Sequence, residues 1–154
     1  MAYIYCIILY DKFDMSFKQI CNFYSKVIKK KELWQSDKIS GDELVAYCKK
    51  KNINVVHWVK SIPQSHKIFL SDLKQNKATV GSYTYIEGAL ASTMYLVVPI
   101  LKDNYRFSNA KIDEFMDWTS KYIKGYALKN CDDELIRQIF IDEAHYDILL
   151  GEKV

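Results

Sequence analysis

Residues 84–101, TYIEGALASTMYLVVPIL, constrain the fold more than any other stretch, because residues 88–101 carry no charged side chain. Thr84 followed three residues later by Glu87 fits a capping box, in which each side chain satisfies the other residue's orphan backbone N–H. The segment is too long for a typical strand and reads as a helix. A helix with no polar face must be covered on most sides. A membrane span needs about 20 apolar residues. This run is shorter, and Ser92, Thr93 and Pro99 interrupt it. It is therefore expected as the central helix of a water-soluble core. Pro99 should kink or end it, since proline lacks an N–H and clashes with the preceding turn.

The 154 residues suit one globular domain spanning 1–154. That length can bury a core without metal or disulfide staples, and 49% apolar residues argue against disorder. Twelve Tyr, seven Phe and three Trp supply ring area for the core, its boundary layer or a binding surface. Cys6, Cys21, Cys48 and Cys131 form no Cys-x-x-Cys pair and no zinc-type cluster with histidine. They read as free thiols, which suits a reducing cytoplasm. The chain opens on apolar residues with no basic stretch or small-residue cleavage site, so no signal peptide is expected.

Residues 3–10, YIYCIILY, fit a buried strand or a buried helix equally, because a short apolar run has no diagnostic period. Ser16 and Gln19 form a capping box ahead of an amphipathic helix over 17–33, which closes on Lys29, Lys30 and Lys31. Ser40 and Glu43 repeat the signature before a short helix ending in Lys49–Lys51. INVVHWV, 53–59, is β-branched and aromatic and is expected as a strand. Ser65 can cap a short helix to about Lys74, and 75–83 reads as a loop or hairpin arm. Beyond the central helix, 102–108 is a connector. Ser108 caps a helix stopped by Gly125, and Cys131 or Asp132 opens a last helix to about Leu150, stopped by Gly151. The reading is mainly α: a single-domain helical bundle around a buried helix at about 84–101, with room for a small N-terminal β element. α+β is the alternative.

Asp142-Glu143-Ala144-His145, preceded by Ile139-Phe140-Ile141, resembles the Walker B region of DEAH-type helicases, where carboxylates hold Mg²⁺ and activate water. The Gly-x-x-x-x-Gly-Lys-[Ser/Thr] loop that would cradle the phosphates is absent, and the chain is too short for paired motor domains. Asp142 and His145 also share the i, i+3 spacing of di-iron bundles, but neither His57 nor His66 has a carboxylate three residues before it to complete such a site. No nucleophile motif is present, so no catalytic residue, metal or cofactor is assigned and no enzyme is expected. The lysine runs, with Trp34, Tyr47 and Trp58 as stacking partners, could follow a nucleic-acid backbone. Arginine, the better base reader, occurs only at Arg106 and Arg137.

Charge is unevenly spread. Residues 1–102 hold 15 basic and 8 acidic side chains, whereas 103–154 hold 7 and 11. In the last helix, Asp142 shares a face with Leu135, Ile139, Tyr146 and Leu149, which predicts partial burial of its carboxylate. Glu143 and Asp147 stand i, i+4 on a neighbouring face, where like charges repel unless a cation relieves them. Asp133 and Glu134 add carboxylates at the start of the helix. These six residues, Asp133, Glu134, Asp142, Glu143, Tyr146 and Asp147, are the candidate partner-binding patch. Small size and the lack of catalytic or targeting motifs are similar to those of bacterial immunity proteins, which neutralise toxins such as nucleases. The expectation is a non-catalytic cytoplasmic protein that inhibits a protein partner by occlusion, the partner being a basic toxin domain. A nucleic-acid-binding domain using the basic front half is the alternative, and an enzyme of unrecognised type the third. No membrane association is expected.

Overall fold

A computed structural model describes the backbone of residues 2–63, 66, 80–127, 133–147 and 152–153, with side chains for 3–63, 66, 86–125, 134–142 and 145. The described chain forms helices α1 (Ala2–Phe13), α2 (Phe17–Gln35), α3 (Gly41–Lys50), α4 (Val55–Ser61), α5 (Val80–Tyr105), α6 (Asn109–Ala127) and α7 (Asp133–Ala144). A minimal antiparallel pair follows, β1 (Tyr146–Asp147) with β2 (Glu152–Lys153), in the register Tyr146 to Lys153 and Asp147 to Glu152. The fold is mainly α. No strand occurs near the N-terminus among the described residues, and the small β element lies at the other end.

The ambiguous N-terminal run is a helix. Every side chain from Ile4 to Leu9 is at most 3% exposed, because α2, α6 and α7 pack around α1. A helix satisfies its own backbone groups inside such a sheath, whereas a strand would need ladder partners. The capping boxes of α2 and α3 form as read: Gln19 N–H and Glu43 N–H donate to the Ser16 and Ser40 hydroxyls, and the Gln19 and Glu43 side chains accept from the Ser16 and Ser40 backbone N–H groups.

Three expectations need correction. Residues 53–59 are not a strand. The Asn54 side chain accepts from His57 N–H at 2.9 Å and starts α4. Val55, Trp58, Val59 and Ile62 are buried at spacings of three, four and seven, so burial of a helical face outweighs β propensity. The central helix is longer than 84–101. The chain is already helical at Val80, so Thr84 lies inside α5 and is not an N-cap, and 80–83 are not a loop. Pro99 does not end α5, which runs on to Tyr105. Its missing hydrogen bond is offset by complete packing of the last turns, where Leu96, Val97, Val98, Ile100 and Leu101 are at most 3% exposed. At the C-terminal end, α6 passes through Gly125 to Ala127, and α7 stops at Ala144 instead of near Leu150. The expected helix after Ser65 lies outside the described residues.

The stops of α5 and α7 share a device with three other helices. Helices α1, α2, α3, α5 and α7 end on Asp14, Asp37, Asn52, Arg106 and His145, all with φ between 50° and 58° and none a glycine. Asn52 and Asp37 close full Schellman turns. Ile53 N–H reaches Cys48 O at 2.9 Å and Asn52 N–H reaches Lys49 O at 3.0 Å. Lys38 N–H reaches Leu33 O at 2.9 Å and Asp37 N–H reaches Trp34 O at 3.1 Å.

One continuous core draws side chains from all seven helices. α5 packs against α2, α3 and α4, and α1 against α2, α6 and α7. No described helix is long and apolar enough to cross a membrane.

Candidate functional site

α7 is held by one face. Ile136 and Phe140 are 0% and 1% exposed. The Phe140 ring lies 5.7 Å from that of Tyr10 and 6.4 Å from that of Phe17. Ridge spacing then fixes what faces out. Glu134, Gln138 and Asp142 follow one another at i, i+4 and are all exposed, and Leu135 beside them is 46% exposed. Gln138 Nε2 donates to Asp142 Oδ1 at 2.7 Å, and Arg137 Nη1 stands 3.6 Å from Glu134 Oε2. Both contacts are local and solvated, so they leave the outward face acidic with one large aliphatic side chain set in it.

The patch read from the sequence is reshaped here. Asp142 is exposed, not half-buried, because Leu135 turns to solvent and Tyr146 has left the helix. Asp147 lies in β1, so it is not i, i+4 to Glu143 on a helix, and the argument from crowded like charges falls. The bend comes at His145, whose left-handed backbone (φ 50°) breaks the helical row. Asp133 opens α7 and Glu143 lies in its last turn, but the side chains of Asp133, Glu143, Tyr146 and Asp147 lie outside those described. Of the six candidates, Glu134 and Asp142 are placed together on one exposed face.

The aromatic residues proposed for nucleic-acid stacking divide. Trp58 is a core residue, 6% exposed, whose Nε1–H is shared between Met116 O at 2.8 Å and Ser120 Oγ at 2.9 Å, tying α4 to α6. Tyr47 donates its hydroxyl to Asp103. Burial, that hydrogen bond and the Asp103 charge all push its phenol upward. Lys30 is half-buried in the same region. Burial pulls its ammonium down, and Asp103 and Cys48 partly oppose the shift. Asn109 joins the ends of α3 and α5. Its Nδ2 donates to Lys51 O at 2.8 Å, and its Oδ1 accepts from Lys102 Nζ at 2.6 Å. The Lys49–Lys51 run, Lys102 and Lys111 are thereby gathered toward one end of the bundle.

Among the described residues, a pair of cavities between helices is of note. The larger, about 390 Å³, lies among α3, α4 and α5 and is lined by Cys48, Lys49, Asn52, Asn54, Val56 and Tyr95 with aliphatic neighbours. The smaller, about 270 Å³, lies among α1, α2 and α5 and is lined by Tyr5, Val27, Ile28, Lys31, Trp34, Thr93, Leu96 and Val97. Neither wall carries a histidine or a carboxylate. Burial pushes the Cys48 thiol up to about 11 and the Cys6 thiol up to about 12. A thiol held protonated is a poor nucleophile near neutral pH. Cys6 and Cys48 are free thiols. Among the described residues, no three of His, Cys, Asp and Glu are placed to hold a metal ion. Comparison with protein-family models, curated proteins and solved structures finds no match for this chain.

The polar pairs that organise these regions escaped sequence reading. Tyr5 and Thr93 are 88 positions apart, and Tyr47 and Asp103 are 56 apart. No local pattern links residues that meet only through helix packing.

Proposed function

We propose that this chain is a non-catalytic binding protein that occludes a basic protein partner through the outward face of α7. The observation that carries the reading is Leu135, a large aliphatic side chain 46% exposed on a firmly docked helix, beside Glu134, Gln138 and Asp142. An apolar anchor with carboxylates at its rim suits a positively charged partner. The anchor supplies desolvated contact, and the rim charges steer approach. The protonated buried thiols, and two cavity walls that carry neither histidine nor carboxylate, favour binding over catalysis. A toxin-neutralising immunity protein in the reducing cytoplasm is the specific form we propose, with a nuclease-like basic domain as the target. The test is a photo-crosslinking residue at Gln138, with the same residue at exposed Ala46 on α3 as control. The reading expects capture of one basic protein from the native host at position 138 alone, lost when Glu134 and Asp142 are both changed to Lys. Equal capture at both positions, or capture insensitive to the charge reversal, would remove α7 as the site.

A second reading rests on Asn109, which brings the lysines of α3, α5 and α6 toward one end of the bundle. Such a basic end could follow a phosphate backbone. It predicts binding of a fluorescent single-stranded oligonucleotide that weakens with salt and is lost on changing Lys50 and Lys51 to Glu. A salt-insensitive signal would argue against it.

A further inference from the structure

The smaller cavity has the makings of a ligand site distinct from the α7 face. Its walls are aliphatic and aromatic: Val27, Ile28 and Trp34 from α2, and Leu96 and Val97 from α5. Tyr5 forms the inner end, since it is 1% exposed. Lys31 forms the outer end, since it is exposed to solvent. It is also the one charged residue in the lining. The run Lys29–Lys31 is therefore not one uniform solvated patch. Lys30 is drawn in toward Asp103, and Lys31 overhangs the slot.

The inner end has a defined polarity. Thr93 Oγ1 donates to Leu90 O at 3.0 Å, so the 2.9 Å contact between Thr93 Oγ1 and Tyr5 Oη must have Tyr5 as donor. With its single proton committed to Thr93, the Tyr5 oxygen can only accept from a further group. A complementary ligand thus carries an N–H or O–H at its inner end, a flat apolar body, and a negative charge at its outer end. An apolar cavity of about 150 Å³ takes one benzene ring. At about 270 Å³ the slot suits a one- or two-ring body with a short side chain. Nucleotides and acyl chains fit poorly. A nucleotide needs more than one cation, and an acyl chain leaves the Tyr5 oxygen facing hydrocarbon.

We propose that this slot binds a small aromatic carboxylate of indole-acid type, its ring N–H accepted by Tyr5 and its carboxylate paired with Lys31. Lys31 is exposed, so its pairing discriminates only modestly. The rings and aliphatic walls supply most of the affinity.

The test uses the full chain and indole-3-propionate, with indole-3-propionamide as the uncharged control, read by ligand-detected saturation-transfer NMR and calorimetry. The acid should bind about fivefold more tightly than the amide, the size of a favourable exposed ion pair. Lys31→Met should erase that difference while leaving amide binding and the urea midpoint unchanged. Ile28→Trp, which fills the slot from its half-buried side, should abolish binding of both. If Ile28→Trp fails to fold, the Lys31→Met comparison decides alone. No saturation transfer to the wild type at millimolar probe would overturn the proposal. So would equal affinity for acid and amide, or binding that persists in a folded Ile28→Trp.

Discussion

Buried titratable groups set how this molecule responds to alkali. Burial lifts Cys48 to about 11 and Cys6 to about 12 from the ordinary 9.0, and lifts the phenols of Tyr5 and Tyr47 as well. In the unfolded chain the same thiols ionise near their ordinary value. Above that pH the unfolded state has released protons that the native state still holds, so stability falls as pH rises. The contribution is intact below about pH 8, a unit under the ordinary thiol value. It is lost progressively as pH climbs through 9 toward the native values. The urea midpoint should stay level from neutral pH to that point and then drop, and the drop should shrink in Cys48→Ala when each protein is referred to its own neutral-pH midpoint. A level midpoint up to pH 11 would mean that water reaches the thiols. The same burial explains why a core cysteine here should resist thiol reagents until the chain unfolds.

Helix ends, more than helix interiors, separate what the sequence discloses from what it hides. The boxes at Ser16/Gln19 and Ser40/Glu43 were legible because both partners lie within four residues and the flanking chain is polar. Thr84/Glu87 has the same spacing, but any i, i+3 pair inside a helix has it too, and only packing reveals that α5 is already helical at Val80. The strand expected at 53–59 failed because side-chain type was weighed above the Asn54 cap and the helical spacing of Val55, Trp58 and Val59. Asn54→Ala should therefore cost about 1 kcal/mol in urea unfolding, as for other lost N-caps. A change near zero would mean that α4 does not depend on its cap. Stops were misplaced because the left-handed positions carry Asp, Asn, Arg and His, whereas Gly125 sits inside α6. That choice leaves stability unclaimed. Arg106 is exposed with φ 56°. Arg106→Gly relieves about 1–2 kcal/mol of left-handed strain and loses about 0.5–1 to chain entropy, so it should raise stability by up to about 1.5 kcal/mol. A lower urea midpoint would reveal a contact of the Arg106 side chain that outweighs the strain. The candidate surface was half legible for the same reason. Glu134 and Asp142 lie before the unmarked break at His145, and Tyr146 and Asp147 lie beyond it.

At the scale of the molecule, an uneven charge distribution sits on one shared core. The acidic excess of residues 103–154 includes the outward face of α7, and the basic excess of 1–102 includes the lysine run within α2 and the lysine-rich end of α3. Long-range attraction acts on encounter, so its signature is an association rate that falls with ionic strength while dissociation changes little. Glu134 and Asp142 are suited to this test because their contacts inside the fold are solvated and local, to Arg137 and Gln138. Reversing both to Lys should leave the melting temperature nearly unchanged, since exposed pairs of this kind are worth well under about 1 kcal/mol. Against a basic partner, the same double reversal should slow association and flatten its dependence on salt. Leu135→Ala should act differently, speeding dissociation with little effect on the salt slope, because it removes contact area and not charge. The measurement is association and dissociation rate across a salt series for wild type, the double reversal and Leu135→Ala, with the partner captured at Gln138. If the reversal leaves both the rate and its salt slope untouched, α7 is ordinary solvated surface, and the basic end gathered by Asn109 becomes the surface to test next.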